Sequence, residues 1–257
     1  MRGDCIEPIA DGLTRRVSDA RGWRIVEYDR VGSTNLVAAE FPAWHAVRAL
    51  TQTAGRGRFQ RAWVSDKGGL WLSAVVPLGV DRAQNQTLPL AAGLAVIEAL
   101  RKLGVADARL RWPNDIMVRD RKLAGLLVDC FSPQLAVVGI GMNVANRPSD
   151  HDPSLGQTAT RLSDLIEPVP SIELLTENLL ACLRTSVELL LSRGFGALGP
   201  QINDLWGGRR RVWLQLEAGE HSGDFIGVDE MGRLLLEGPQ EKVRAFEPHE
   251  VRLLREL

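Results

Sequence analysis

Apolar residues recur along the first part of the chain with both strand and helix periods. Short apolar runs at 23–28, 45–50 and 69–77 predict β-strands. Apolar positions at helical spacing predict longer helices at 87–103 and 171–194, each ending at or just before a glycine that suits a helix C-terminus. The pattern therefore indicates a fold that contains both strands and helices.

A short helix and a group of short strands complete this part of the pattern. The segment 32–40, "GSTNLVAAE", predicts a short helix for which Ser33 or Thr34 is a suitable N-cap. Residues 146–170 are rich in Pro, Ser, Asp and Thr and predict a loop. Between the two, apolar segments separated by turn signals predict a meander-like sheet, at 108–112, 115–118, 122–130 and 134–144.

The pattern changes after Gly207 and Gly208. The segments that follow alternate apolar and polar residues between turns: "RRVWLQL", "SGDFIGVD", "GRLLLEG", "KVRAFEP" and "EVRLL". Such short strands predict a small β-barrel of about 50 residues. We therefore expect two domains, a larger one at 1–206 and the barrel at 207–257.

Composition and charge narrow the possible functions. A chain of 257 residues with 45% hydrophobic content can bury a substantial core. Lys and Arg total 31 against 32 for Asp and Glu, so the formal net charge of -1 gives no global field that attracts nucleic acid or an anionic membrane. Any binding of anions must therefore be local.

Cysteine usage and hydropathy indicate the compartment. The three cysteines, Cys5, Cys130 and Cys182, form no CxxC pair, which predicts free thiols in a reducing cytosol. The first twelve residues contain no apolar signal-peptide core, and no apolar run approaches the roughly 20 residues that a membrane span requires. We expect a cytoplasmic protein that does not bind membranes.

The stretch 54–63, "AGRGRFQRAW", concentrates three arginines on a glycine-containing backbone. Glycine lets the backbone approach a ligand closely, and arginine offers a planar fork of donors that suits carboxylate and phosphate oxygens. A small anionic ligand fits this segment better than nucleic acid does, because no aromatic stacking platforms are interleaved with the arginines. Composition alone leaves a merely solvated loop equally open.

The stretch 111–129, "RWPNDIMVRDRKLAGLLVD", is the second candidate for chemistry. Asn114 and Asp115 lie in a turn after Pro113, and Lys122 begins an apolar strand, from which its charge can reach a carboxylate or phosphate. Asp115 is either a turn cap or a Mg²⁺ ligand. Lys122 is either a functional cation or a strand lysine that discourages aggregation.

Known nucleotide and nucleophile motifs are absent from the sequence. The segment 139–144, "GIGMNV", lacks the third glycine of a dinucleotide fingerprint, and no GxxxxGK[ST] occurs. A Gly-x-Gly strand beside a site and a plain turn at a strand end both remain open. None of the histidines lies in a setting typical of a catalytic triad.

Taken in order, five motifs resemble those of the biotin protein ligases: "GSTN" at 32–35, "GRGRFQRAWVSDKGGLWLS" at 55–73, "RWPNDI" at 111–116, "KLAGLLVD" at 122–129 and "GIGMNV" at 139–144. This resemblance implies an α+β catalytic domain with a mixed sheet, related to class II aminoacyl-tRNA synthetases, and a small SH3-like C-terminal barrel. It also implies that biotin and ATP, with Mg²⁺, form biotinyl-5′-AMP, and that biotin is then transferred to a lysine of a biotin carboxyl carrier domain.

The resemblance assigns roles residue by residue. It implies catalytic roles for Lys122, Arg58 and Asp115, with Lys122 as the main group that stabilises the transition state. It places Asn114, Asp115 and Asn143 towards ATP, with Asp115 as the candidate Mg²⁺ ligand. The residues implied to contact biotin or the adenylate are Ser33, Thr34, Asn35, Gln52, Gly55, Arg56, Gly57, Arg58, Lys122 and Gly125.

Three positions depart from the family pattern. Gln60 stands where a glycine is usual, Arg111 replaces a lysine, and Asp66 replaces a proline. The first departure puts the backbone of the closed loop in doubt. Since none of these positions carries the assigned chemistry, we expect a working enzyme whose rate or retention of adenylate is altered.

Alternatives to this interpretation come from two classes. A lipoate or octanoate ligase or transferase of related fold is the nearest enzyme, and a binding module for nucleic acid or peptides is the non-enzymatic choice. About 22 residues precede the first predicted strand, too few for a helix-turn-helix domain, so we expect a stand-alone ligase that does not bind DNA. A homodimer is compatible with the sequence.

Overall fold

The computed structural model describes residues 14–206 and 208–257. Cys5, the N-terminal segment and Gly207, which marks the predicted domain boundary, lie outside the described residues. The described chain divides into two compact units. The first unit comprises the described residues up to Leu78 together with Leu123–Ala181, and the second comprises Gly79–Lys122 with Cys182–Leu257.

Strands and helices are numbered here in chain order over the described residues. The strands are β1 (Thr14–Ala20), β2 (Trp23–Val31), β3 (His45–Gln52), β4 (Leu70–Pro77), β5 (Arg109–Arg111), β6 (Asp115–Val118), β7 (Arg121–Cys130), β8 (Leu135–Met142), β9 (Arg210–Leu216), β10 (Gly219–Val228), β11 (Leu234–Glu237), β12 (Val243–Phe246) and β13 (Val251–Glu256). The helices are α1 (Thr34–Ala38), α2 (Arg82–Asn85), α3 (Leu88–Lys102), α4 (Leu155–Thr158), α5 (Ile172–Arg193) and α6 (Gly199–Asp204).

A mixed sheet forms the centre of the first unit. Its strand order is β1-β2-β3-β4-β8-β7. Strands β2 and β3 pair in parallel, whereas the other pairs are antiparallel. Strand β4 is buried at every position before Pro77, which explains why its sequence is a continuous apolar run and does not alternate.

Helix α1 packs on this sheet and brings polar residues into its interior. It contacts β3, β4 and β8. Val37 and Ala38 belong to an apolar cluster with strand residues such as Val47 and Val75, and this packing anchors the helix. Ser33 occupies the N-cap position, as predicted, but its side chain makes no capping hydrogen bond.

The second unit contains a helix, a hairpin and a second sheet. Helix α3 buries most of its residues, and Gly93 packs closely against Leu110 of β5. Strands β5 and β6 pair as an antiparallel hairpin. The C-terminal strands form an antiparallel sheet in the order β12-β11-β10-β9-β13. The predicted fold class, a large mixed sheet with helices and a C-terminal β unit, is confirmed.

The structure corrects two details of the sequence-based prediction. Trp23 does not begin the first strand, because β1 precedes it as an edge strand rich in charged residues, "TRRVSDA". An edge strand has one partner and little apolar burial, so it lacks the apolar signal on which the prediction relied. The short helices α2 and α6 were also not predicted. The division at 1–206 and 207–257 stays a prediction, since the units group Gly79–Lys122 with the C-terminal strands.

Over the part of the chain that the structure describes, no helix combines the length and apolar character needed to cross a membrane.

Candidate functional site

Buried polar side chains meet at the N-terminal end of α1. Thr34 donates through both its backbone amide and its hydroxyl to Oε1 of Gln52, at 2.8 and 3.0 Å. The other end of the Gln52 amide donates to Oγ of Ser65, at 2.9 Å. Ser33, Thr34 and Asn35 are each 4% exposed. The structure therefore brings together four residues that the family resemblance singles out: Ser33, Thr34, Asn35 and Gln52.

Two residues that received no role from the sequence extend this network. Ser73 on β4, fully buried, lies 2.6 Å from Oδ1 of Asn35 and 2.7 Å from Oγ1 of Thr34. Asp129 on β7 accepts a hydrogen bond from Nδ2 of Asn35, at 2.8 Å. One signal was visible for Ser73, since a serine inside the apolar run "LWLSAVVP" must find a buried partner. We call the hydrogen-bonded set of Thr34, Asn35, Gln52, Ser65, Ser73 and Asp129 the polar network.

Glycines allow the polar network to pack closely against its neighbours. A Cβ atom at Gly139 would lie 2.3 Å from Oδ1 of Asn35, and one at Gly55 would lie 2.4 Å from Oγ of Ser65. At Gly141 the obstacle would be the ring of Trp63, at 2.6 Å. Real Cβ contacts are essentially never this short, so any larger residue at these positions would force a neighbouring group to shift. The Gly-x-Gly of β8 therefore permits close approach, as one of the two sequence-based alternatives proposed.

The glycine–arginine segment folds back on itself as a small hairpin. The amide of Trp63 donates to the carbonyl of Gly55 at 2.9 Å, and the amide of Gly57 donates to the carbonyl of Arg61 at 2.8 Å. Arg56 and Ala62 form an antiparallel bridge between these bonds. The segment 55–63, which we call the arginine loop, is thus an ordered turn and not an extended solvated stretch.

The departure at Gln60 has a visible backbone counterpart. Phe59 and Gln60 have φ angles of 55° and 58°, in the left-handed region that favours glycine. Each non-glycine residue held there costs on the order of 1 kcal/mol. The guanidinium of Arg58 lies over the ring of Phe59, 4.9 Å from its centroid. The loop therefore keeps its turn at Gln60 without the usual glycine, at some cost in strain.

A group of charged side chains lies in the second unit, on the hairpin and at the start of β7. Nζ of Lys122 lies 2.5 Å from Oδ1 of Asp115, and a terminal nitrogen of Arg111 lies 2.7 Å from Oδ2 of the same carboxylate. Asn114, in the β5–β6 turn, is half-buried. We call Arg111, Asp115 and Lys122 the ion cluster. The structure thus groups Asp115 and Lys122, to which the resemblance gives roles, with Arg111, which received none.

The ion cluster controls the ionisation of Asp115. Burial raises the pKa of the Asp115 carboxyl, but the charges of Lys122 and Arg111 together outweigh burial. The net result is a pKa below the usual value of 3.8. Asp115 is therefore a fixed carboxylate that aligns two cations, a more specific role than that of a turn cap.

Two contacts within the second unit fix the hairpin that carries the cluster. The buried indole of Trp112 donates to the carbonyl of Gly232 at 3.0 Å. Arg109 makes a bidentate pair with Glu256 of β13, at 2.6 and 2.7 Å. Neither Trp112 nor Arg109 received a role from the sequence, although Trp112 lies inside one of the recognised motifs.

Two predicted site residues, Asn143 and Gly125, make hydrogen bonds or sheet contacts within the fold. Nδ2 of Asn143 donates to the carbonyl of Thr160, and its Oδ1 accepts from Nδ2 of Asn146, both at 3.1 Å. Gly125 on β7 pairs with Gly141 on β8 in the sheet register. The roles of Asn143 towards ATP and of Gly125 towards biotin stay predictions.

Asp115 was predicted to bind Mg²⁺. The side chains around Asp115 do not form a metal site built from protein ligands. Both oxygens of Asp115 contact cationic side chains. Within residues 14–206 and 208–257, no group of three or more His, Cys, Asp or Glu side chains is arranged to hold a metal ion. Since Mg²⁺ is often held largely by waters and substrate phosphates, Mg²⁺ bound to ATP remains compatible with these residues.

Comparison with known proteins defines the class. Residues 33–143 match the model of the biotin/lipoate A/B protein ligase family. The biotin–[acetyl-CoA-carboxylase] ligase of Mycobacterium tuberculosis is 32% identical over 259 residues, which cover 91% of this chain and 92% of that relative. The enzyme of the same name from Paracoccus denitrificans is 31% identical, with 82% and 92% covered.

A solved structure agrees with these relatives. The biotin protein ligase from Aquifex aeolicus in complex with biotin and ATP matches with a TM-score of 0.78 and 27% identity, over 91% of this chain and 99% of that one. This chain belongs to the biotin protein ligase family.

Proposed function

We propose that this protein is an ATP-dependent biotin protein ligase that forms biotinyl-5′-AMP and transfers biotin to one lysine of a biotin carboxyl carrier domain. The proposal rests on the presence of the polar network in a chain that belongs to this family. Biotin has a neutral ureido head with one carbonyl and two N–H groups. Buried hydroxyl and amide groups recognise such a head by hydrogen bonds and reject ligands that leave those groups unpaired.

The network supplies a mostly uncharged, preorganised set of hydrogen-bonding groups. Ser33, Thr34 and Asn35 lie at the start of α1, where packing on the sheet fixes their backbone. Gln52 is held at both ends of its amide, by Thr34 and Ser65. Because these side chains are already oriented, little ordering cost remains to be met on binding. We assign the recognition of the ureido head to this group, with the arginine loop closing over the ligand.

Adenylation requires positive charge at the reacting centre. The biotin carboxylate attacks the α-phosphorus of ATP, the bond to the bridging oxygen breaks, and pyrophosphate leaves with the electron pair. Both reactants are anionic, so cations that stabilise the developing phosphoryl charge lower the barrier. We assign this role to Lys122, with Asp115 aligning its ammonium group, and we assign binding of the adenylate phosphate to Arg58.

The second step makes an amide. The neutral amine of the acceptor lysine attacks the acyl carbon of the mixed anhydride, the acyl–oxygen bond breaks, and AMP leaves while the amine loses a proton. The arginine loop protects the anhydride from water until the acceptor arrives. Mg²⁺ accompanies ATP in this proposal, and no step is assigned to a protein-held metal.

The test is pyrophosphate release from MgATP on addition of biotin, with lipoic acid and octanoic acid as parallel substrates. Release with biotin alone, together with biotinyl-AMP retained on the protein, is the expected result. Release with an acyl substrate and not with biotin would reassign the pocket to the lipoate or octanoate alternative. Absence of release with all three substrates would overturn the ligase assignment.

A further inference from the structure

Asp129 stands where the polar network meets the arginine loop. One of its carboxylate oxygens, Oδ2, accepts the 2.8 Å hydrogen bond from Nδ2 of Asn35 and lies 3.5 Å from a terminal nitrogen of Arg56. The side chains of Asp129 and Arg56 are 27% and 29% exposed, so water screens this pair only in part. A single carboxylate thus contacts both the polar network and the arginine loop.

The charge of Asp129 supplies the shorter of two contacts that orient the side-chain amide of Asn35, the other being the carbonyl of Leu127 at 3.4 Å. An ionised carboxylate only accepts hydrogen bonds, so the amide of Asn35 must turn its NH₂ group towards Asp129 and its oxygen towards Ser73. Ser73 has one hydroxyl proton, and Oδ1 of Asn35, at 2.6 Å, accepts it. A neutral group at position 129 that both donates and accepts would leave only the longer 3.4 Å contact of Nδ2 with the carbonyl of Leu127 to hold the Asn35 amide in this orientation.

The same charge connects the arginine loop to β7. The hydrogen bonds between Gly55, Gly57, Arg61 and Trp63 close the loop on itself, which fixes its shape. The Arg56–Asp129 pair joins that closed loop to the strand beside Asn35. Removing the charge of Asp129 is therefore expected to increase the mobility of both the arginine loop and the side-chain amide of Asn35.

We propose that Asp129 is a positioning residue for the biotin pocket, which orients Asn35 and holds the arginine loop through Arg56. This proposal rests on the proposed function, because it places the pocket at the polar network. Asp129 itself contacts no reacting atom in this proposal. It acts before chemistry, so its loss weakens binding of biotin and spares the chemical step.

The decisive variant is Asp129→Asn, which keeps an oxygen acceptor and removes the charge. We expect the KM and Kd for biotin to rise about tenfold, the KM for ATP to stay unchanged and kcat to fall by less than about threefold. Without ligands, trypsin should cut after the arginines of the loop several-fold faster. The matched control is Glu40→Gln, since Glu40 is an exposed carboxylate of the same unit.

A double-mutant cycle with Arg56→Gln tests the route of the effect. Because Arg56 and Asp129 act as a pair in this proposal, the two changes should be strongly non-additive in cleavage after Arg58 and Arg61, the sites that all variants of the cycle keep. Additive effects would overturn the coupling through Arg56. The conservative Asp129→Glu variant keeps the charge and should return loop cleavage towards the parent rate, and failure to do so would count against a charge-based role.

The outcomes separate this proposal from the proposed function. If the parent releases pyrophosphate with biotin but Asp129→Asn matches Glu40→Gln in KM and in cleavage, the positioning role is overturned while the ligase assignment stands. If the parent shows no biotin-dependent release, the ligase assignment fails, and with it the placement of the biotin pocket. If Asp129→Asn unfolds at the assay temperature, Asp129→Glu replaces it, and rapid loop cleavage of that folded variant overturns the proposal.

Discussion

The polar network and the ion cluster differ in the kind of interaction that holds their side chains together. The network joins mostly uncharged side chains by hydrogen bonds, from Ser73 to Asn35 and from Thr34 to Gln52, whose amide continues to Ser65. The ion cluster instead sets one carboxylate, Asp115, between two cations. Neutral donors and acceptors at fixed positions discriminate shape and hydrogen-bond pattern, whereas paired charges stabilise anionic groups.

The difference also predicts how each region tolerates change. In the network, steric precision decides the outcome, because Asn35 and Gly139 are in close contact. In the ion cluster, the balance of charge decides, because Asp115 compensates two cations. A substitution that changes the size of a side chain should therefore disturb the polar network most. A substitution that changes a charge should disturb the ion cluster most.

The largest expected effect is on the ion cluster. Lys122→Ala should slow single-turnover formation of the adenylate by about 10²–10³-fold, because it removes a cation that stabilises the transition state. The fold should persist, as judged by an unchanged circular dichroism spectrum. Lys242→Ala, an exposed lysine of the same unit, is the control. An unchanged single-turnover rate for Lys122→Ala would remove Lys122 from the mechanism.

Adding one methyl group at Gly139 should disturb the polar network. Gly139→Ala places a Cβ within 2.3 Å of Oδ1 of Asn35, so Asn35 or the strand must shift. Overpacking of this kind costs about 1–3 kcal/mol, and we expect biotin affinity by calorimetry to fall by about tenfold or more. In Gly156→Ala the nearest atom is 3.7 Å away, so its affinity should equal that of the parent. Equal affinities for both variants would contradict a steric requirement at Gly139.

The arginine loop is expected to govern retention of the intermediate. Arg58→Gly removes a guanidinium fork assigned to the adenylate phosphate, and release of biotinyl-AMP should accelerate by about tenfold. Stopped-flow measurement of release after single-turnover loading gives this rate directly. Release at the parent rate would show that Arg58 does not hold the phosphate.

The smallest expected effect concerns stability and pH. Because the pKa of Asp115 is lowered in the folded protein, ionised Asp115 stabilises the fold above its usual pKa of 3.8, and this contribution is lost as pH falls through the lowered value. Asp115→Asn should be less stable than the parent by about 1–2 kcal/mol at pH 7, and the difference should narrow below about pH 4. Urea unfolding at several pH values measures this difference. A gap that stays constant down to pH 3 would contradict the ion pairing.

The sequence was sufficient for the elements with strong apolar periodicity and for the motif residues. Strands β2, β3, β4, β7 and β8 and helices α3 and α5 lie close to their predicted positions because burial imposes the pattern. Strand β1 was missed because an edge strand of charged residues bears no such pattern. The apolar pattern thus predicts the buried strands and helices better than the edge strand.

The candidate site was predicted in part, for a related reason. Motif residues such as Thr34, Gln52 and Lys122 could be named from the chain, but Asp129 and Glu256 could not, and Ser73 showed only that it needed a buried partner. Their importance comes from partners that are 38, 94 and 147 residues away along the chain. Such contacts exist only in three dimensions, so one sequence without its fold does not reveal them.

The bidentate pair between Arg109 and Glu256 has a consequence for the order of folding. Contacts between residues so distant in sequence form slowly, because a long segment of chain must first be brought together. During synthesis this pair cannot form until Glu256, 147 residues after Arg109, has been added to the chain. The Thr34–Gln52 bonds span only 18 residues. We expect the Thr34–Gln52 bonds to form early on the ribosome and the Arg109–Glu256 anchor of the hairpin to be among the last contacts made.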